Sequence, residues 1–177
     1  MKTVFQLKAI AGLAVALLIS TASYAQKVVL SPRDSVSGKI GAATVSINYG
    51  APSLRGRKIL GSIEPYGKAW RAGANQATTF TTSAAITIDG KKLPAGKYSL
   101  YMVPGETEWK VIFNSEIPSW GIKKGPGNIV ANDPAKDVLS VTVKPTSHEV
   151  TERLKYEIDN KGFALVWENV SVPVAIK

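Results

Sequence analysis

Apolar and polar residues alternate with a period of two through almost every readable segment of this chain, and that pattern confines it to β architecture. Successive side chains of a strand point to opposite faces. Residues 44–49 (TVSINY) therefore offer Val45, Ile47 and Tyr49 to a core and the others to solvent. Residues 78–82, threonine-rich around Phe80, read the same way, and 85–89 run into Asp89-Gly90, a tight-turn signal. Residues 97–103 and 109–114 make two strands joined by the loop PGETE, and 138–143 add another. Residues 150–158 place Val150, Leu154, Tyr156 and Ile158 on one face, and 159–162 turn the chain. Strands at 163–167 and 170–176 follow, with Pro173 assigning the last to a sheet edge. A 3.6-residue period over three turns is found nowhere after the N-terminus. The one short helix candidate is 62–69, interrupted by Pro65 and Gly67. The expected fold is all-β: an antiparallel, jelly-roll-like β-sandwich of roughly nine to ten strands.

The N-terminus reads differently. Residues 1–25 open with a basic stretch (Lys2, Lys8), continue into the apolar run 9–19, and end on the small residues Ser23 and Ala25. This is the pattern of a secretory signal peptide cleaved after Ala25, and the apolar run falls short of the ~20 residues of a transmembrane span. Residues 26–177, 177 less 25 or 152 residues, are expected to form one domain without repeat or linker. The chain has no cysteine, so it folds without disulfides and offers no lipidation site of the lipobox type. Export without disulfides points to a bacterial periplasm or secretion.

The formal charge is +9, and loss of Lys2 and Lys8 takes it to +7. Such a surplus attracts anions, but the basic residues are scattered. The densest group, Arg55, Arg57 and Lys58, is too short for a nucleic-acid patch. One histidine, His148, in what reads as a polar turn, and no cysteine leave zinc and transition metals without ligands. His148 has no GxSxG elbow to serve, and GKIGAA at 38–43 lacks the helix that a dinucleotide fingerprint opens. Neither a metal nor a cofactor is expected.

The stretch 49–78, YGAPSLRGRKILGSIEPYGKAWRAGANQAT, combines turn-forming glycines with aromatic, guanidinium and amide side chains. An aromatic face stacks on the apolar side of a sugar, and arginine pairs with an anion through two hydrogen bonds. The candidate ligand-binding set is Tyr49, Arg57, Glu64, Trp70, Arg71 and Asn75. Trp120 from the long unpatterned segment 117–134 is expected to close over it. The same residues have structural readings. Arg71 satisfies loop carbonyls, Asn75 caps a turn, Trp70 plugs the sandwich, and Glu64 pairs with Arg57 or Arg71. The functional expectation is a non-enzymatic binding module for a small carbohydrate or anionic envelope ligand. The alternative is an envelope-directed hydrolase using Glu64 as general acid or base.

The stretch 49–78, together with LPAGKYSLYMVPGETEWKVIFN at 93–114, resembles the DUF2911 family of exported bacterial domains. The family tends to read YGRP where this chain has Tyr49-Gly50-Ala51-Pro52, and WRTGAN where it has Trp70-Arg71-Ala72-Gly73-Ala74-Asn75. The resemblance implies a β-rich exported domain and brings no catalytic residue. An arginine at position 51 would have added an anion contact that Ala51 lacks.

Overall fold

The computed structural model describes residues 29–123 and 130–177 and turns the alternating segments into ten strands. These are β1 (Arg33–Ile40), β2 (Ala43–Gly50), β3 (Thr79–Thr82), β4 (Ile86–Ile88), β5 (Lys91–Leu93), β6 (Gly96–Val103), β7 (Trp109–Asn114), β8 (Asp137–Val143), β9 (Thr146–Asp159) and β10 (Gly162–Ala175). The expected signal peptide lies outside the described residues, as does the KKGPGN cluster beyond Lys123.

Six strands form one antiparallel sheet in the order β1-β2-β3-β6-β7-β8. The long hairpin β9–β10 faces it as a second layer. Phe163 of β10 lies 5.5 Å from Phe80 of β3 and 6.5 Å from Phe113 of β7, and Tyr156 of β9 lies 4.8 Å from Tyr49 of β2. Val45, Ile47 and Tyr49 are buried between the layers, as their alternation requires. Each such side chain contributes about 1.5–3 kcal/mol on leaving water.

The edges of the second layer are covered. Thr87 and Lys177 exchange two backbone hydrogen bonds of 2.8 Å, tying β4 to the end of β10. On the far side, Leu54 N–H donates to Glu152 O and Leu154 N–H to Pro52 O, both at 2.9 Å, so residues 52–54 run along β9. The sandwich expected from the alternation is present, but its connectivity is not jelly-roll-like. Each strand of the large sheet pairs with its chain neighbour, and only the β4–β5 hairpin is set aside between β3 and β6. That hairpin turns at Asp89-Gly90 with φ of 50° and 71°, the left-handed pair that suits a two-residue turn.

Other local expectations are corrected. Residues 162–175 make one strand rather than two, because a bulge at Glu168 (φ 52°) absorbs the break in alternation. Val150 is 74 % exposed, since little packs on the first half of β9 and full burial starts at Leu154. His148 lies exposed in β9 rather than in a turn. Residues 62–69 form no helix. Gly61 N–H donates to Glu64 O (2.9 Å), Glu64 N–H to Ile59 O (3.0 Å) and Gly67 N–H to Pro104 O (2.8 Å). With Gly61 and Gly67 at φ of 75° and 74°, the chain turns repeatedly instead of winding. The one helical turn among the described residues is the 3-10 turn Pro134–Lys136, capped by the Asp133 side chain. β1 escaped the alternation test because only Val36 and Ile40 are apolar in it.

Candidate functional site

Between β2 and β3 the chain crosses to the second layer and returns. Arg57 secures the outward leg, donating from Nε to Leu54 O (2.9 Å) and from Nη2 to Ser53 O (3.0 Å). The Glu168 carboxylate then accepts hydrogen bonds from the backbone N–H groups of Ile59 and Leu60. On the return, Trp70 exchanges backbone hydrogen bonds with Met102 of β6 at 2.7 and 2.9 Å. Its indole is buried, stacked on Trp167 at 5.8 Å and edge-on to Trp109 at 6.5 Å, while Nε1 donates to Gly73 O at 3.1 Å. Gly73 has no room for a side chain: a Cβ there would stand 2.7 Å from Thr78 Oγ1.

Anchored in this way, residues 63–71 form one wall of a cleft of about 630 Å³. The other wall comes from Ile122, Val130, Asn132 and Pro134. Its apolar surface is supplied by Ile63, Trp70, Ile122 and Val130, and its polar groups by Glu64, Lys68, Arg71 and Asn132. A shallower hollow of about 450 Å³ sits at the β9–β10 turn. There the Asp159 carboxylate is already committed to the N–H groups of Lys161 and Gly162.

The electrostatics of the larger cleft are unusual. Burial pushes the Glu64 carboxyl up to about 7 from 4.5, against the opposing pull of Arg71. Burial likewise lowers Arg71 from its ordinary value, with Glu64 partly offsetting. Yet Glu64 forms no ion pair with Arg71 or Arg57, contrary to its structural reading. Among the described residues the one ion pair joins Lys155 to Glu157. Arg71 spends Nε on a long hydrogen bond to Gly73 O (3.4 Å) and leaves Nη1 buried without a partner. Asn132 Oδ1 is likewise buried and unpartnered, and no other buried side-chain polar atom among the described residues is in that state. Such groups cost about 1–3 kcal/mol each when nothing satisfies them.

Of the sequence candidates, Glu64, Trp70 and Arg71 meet at this cleft. Tyr49 lies in the core, its hydroxyl between the Asp34 carboxylate (3.4 Å) and Tyr156 N–H (3.3 Å). Asn75, at φ 64°, donates from Nδ2 to Ser31 O (3.1 Å) and accepts at its backbone oxygen from Gly121 N–H (3.1 Å). Trp120 is 46 % exposed beside Gly121 and does not line the cleft. Ala51 is fully buried, so position 51 faces the core rather than the cleft. Sequence reasoning missed Lys68, Gly121 and Asn132. The last two fall in the long segment 117–134, whose length alone marked it. Among the described residues no His, Cys, Asp and Glu group could hold a metal ion, and no helix is long and apolar enough to cross a membrane.

A large meandering sheet faced by a long hairpin, with a cleft of apolar and polar residues walled on one side by the loop carrying Trp70 and Arg71, defines an all-β sandwich domain. The chain belongs to the DUF2911 family, described as a protein of unknown function, whose profile matches residues 31–176. No curated protein and no solved structure matches it.

Proposed function

We propose that this is an exported, non-enzymatic binding domain for a small carbohydrate or anionic envelope ligand, held in the cleft between residues 63–71 and the side chains of Ile122, Val130, Asn132 and Pro134. The observation that carries the reading is the convergence of Lys68, Trp70, Arg71 and Asn132, from two separate segments, on one hollow of about 630 Å³. Lys68 and Arg71 favour an anion, and the apolar walls favour a ring face or an alkyl stem.

A thermal-shift panel of envelope sugars, peptides and anions on the purified chain, with Arg71→Ala alongside, tests this. A ligand at ~100 times its dissociation constant adds about 2.7 kcal/mol. A shift present in the wild type and lost in a variant that still melts cooperatively supports the cleft. A shift retained in the variant overturns it. Export is tested separately by the N-terminus of the protein recovered outside the cytoplasm, which is expected to be Gln26.

The alternative, an envelope-directed hydrolase, draws on Glu64, whose carboxyl near 7 suits a general acid or base. The cleft lining among the described residues brings it no second carboxylate, which favours the binding reading. Turnover of an envelope polymer lost in Glu64→Gln would reverse that preference.

A further inference from the structure

We infer that the cleft is a proton-gated anion site, in which Glu64 bars an anion while it is ionised and admits one when it is protonated. This rests on the binding reading above and adds the condition under which the site fills.

The gate begins with a carboxyl group that the fold leaves alone. Glu64 lines the cleft with Ile63, Trp70, Ile122 and Val130, and among the described residues neither an ion pair nor a hydrogen bond reaches its carboxylate. Arg71, on the same wall, is held away from it. Its Nε donates to Gly73 O, and Gly121 lies against its Cβ and Cδ with no room for a methyl group between them. Gly121 is fixed in turn, since its N–H donates to Asn75 O and its oxygen accepts from Ala131 N–H, both at 3.1 Å. The guanidinium therefore acts on Glu64 through its field alone.

The charges around Glu64 decide what enters. Lys68 and Arg71 share its wall, and the opposite wall of Ile122, Val130, Asn132 and Pro134 has no titratable group. Lys123 and Asp133, next to that wall in the chain, do not line the cleft, and Glu168 is engaged by the N–H groups of Ile59 and Leu60. Two bases against one acid favour an anion over an amine. An anion drawn to Lys68 shares a partly apolar hollow with the Glu64 carboxyl. There two negative charges repel strongly, whereas a protonated carboxyl donates a hydrogen bond. Burial has already pushed this carboxyl up to about 7, so the proton is at hand near neutrality. Anion binding therefore takes up a proton and tightens as pH falls.

Calorimetric titration of the purified chain with sulfate and with acetate tests the gate, one pH unit below and one above the Glu64 midpoint. Neither anion titrates in that range. Each is expected to bind about tenfold more tightly at the lower pH, and at the higher pH to take up about one proton, read from two buffers of different ionisation enthalpy. Glu64→Gln is expected to bind at both pH values about as tightly as the wild type does at the lower one, without the proton. His148 and the amino terminus are common to both proteins and cancel in that comparison. Lys68→Ala is expected to weaken binding at both pH values and keep their ratio. Equal affinity at the two pH values, or a ratio that Glu64→Gln retains, overturns the gate. The cleft still stands as a binding site in that case if Lys68→Ala weakens binding. Anion binding that Glu64→Gln and Lys68→Ala both leave unchanged overturns the gate and puts the anion outside the cleft. If neither anion binds at either pH, the gate falls, and the binding reading is decided by the thermal-shift panel.

Discussion

Gly121 lies across the side chain of Arg71 so closely that a Cβ added to it would stand 2.4 Å from Arg71 Cδ and 2.9 Å from Arg71 Cβ. The glycine thus sets where the guanidinium goes. Gly121→Ala must displace Arg71, at an expected cost of about 1–3 kcal/mol, the usual range for overpacking. In an Arg71→Ala background part of that cost disappears, though not all, because the crowded Cβ remains. Urea denaturation of the two single variants and the double variant measures the coupling. Full additivity would show that the two residues do not restrain each other.

The stacked pair Trp70 and Trp167, with Trp109 edge-on, joins the loop to both layers. Trp70→Ala is expected to cost about 3–5 kcal/mol, as for other buried aromatic truncations. Trp120→Ala, at a half-exposed position, is expected to stay within about 0.5 kcal/mol. The difference in urea midpoints checks both, and equal losses would contradict the burial described here.

Glu64 couples stability to pH. Its carboxyl titrates near 7 when folded and near 4.5 when exposed, so the folded state keeps a proton that the unfolded chain has released. The stability this gives is fully present below about 4.5 and is lost as pH rises through about 7. Glu64→Gln removes the titration. Stability measured across that window is therefore expected to fall with pH more steeply in the wild type than in the variant, and parallel curves would refute the shift.

Glu168 performs two tasks at one position. It occupies a left-handed backbone conformation in the β10 bulge, and its carboxylate receives the N–H groups of Ile59 and Leu60. Glu168→Ala keeps the backbone strain and strands both donors, so it is expected to cost about 1–3 kcal/mol. Glu168→Gly strands the same donors but relieves the strain, and is expected to recover about 1 kcal/mol of that loss. Chemical denaturation of the two variants gives the order, and a less stable glycine variant would contradict it.

The sequence was most legible where one residue's surroundings are decided by its own strand. Val45, Ile47 and Tyr49 went inward because a pleat has period two, and Asp89-Gly90 turned because its backbone tolerates positive φ. The family resemblance was legible for the same local reason, since the Trp70–Asn75 run is contiguous. β1 was not, because an edge strand with two apolar residues carries too little alternation. The broken alternation of residues 162–175 points to two strands, since a bulge that rejoins them is fixed by pairing with β9 rather than by its own residues.

By itself, then, the sequence determined the β class, most strand positions and the loop that carries Trp70 and Arg71. Only the tertiary structure decided which polar groups share a cleft. Glu64 and Arg71 lie on one loop, but Asn132 comes from a segment that returns after β7, and Gly121 governs Arg71 from the same distant stretch. A site of this kind depends on desolvation and on which polar groups are brought together. Both are properties of how separate segments pack, and neither is encoded in the residue types of any one of them.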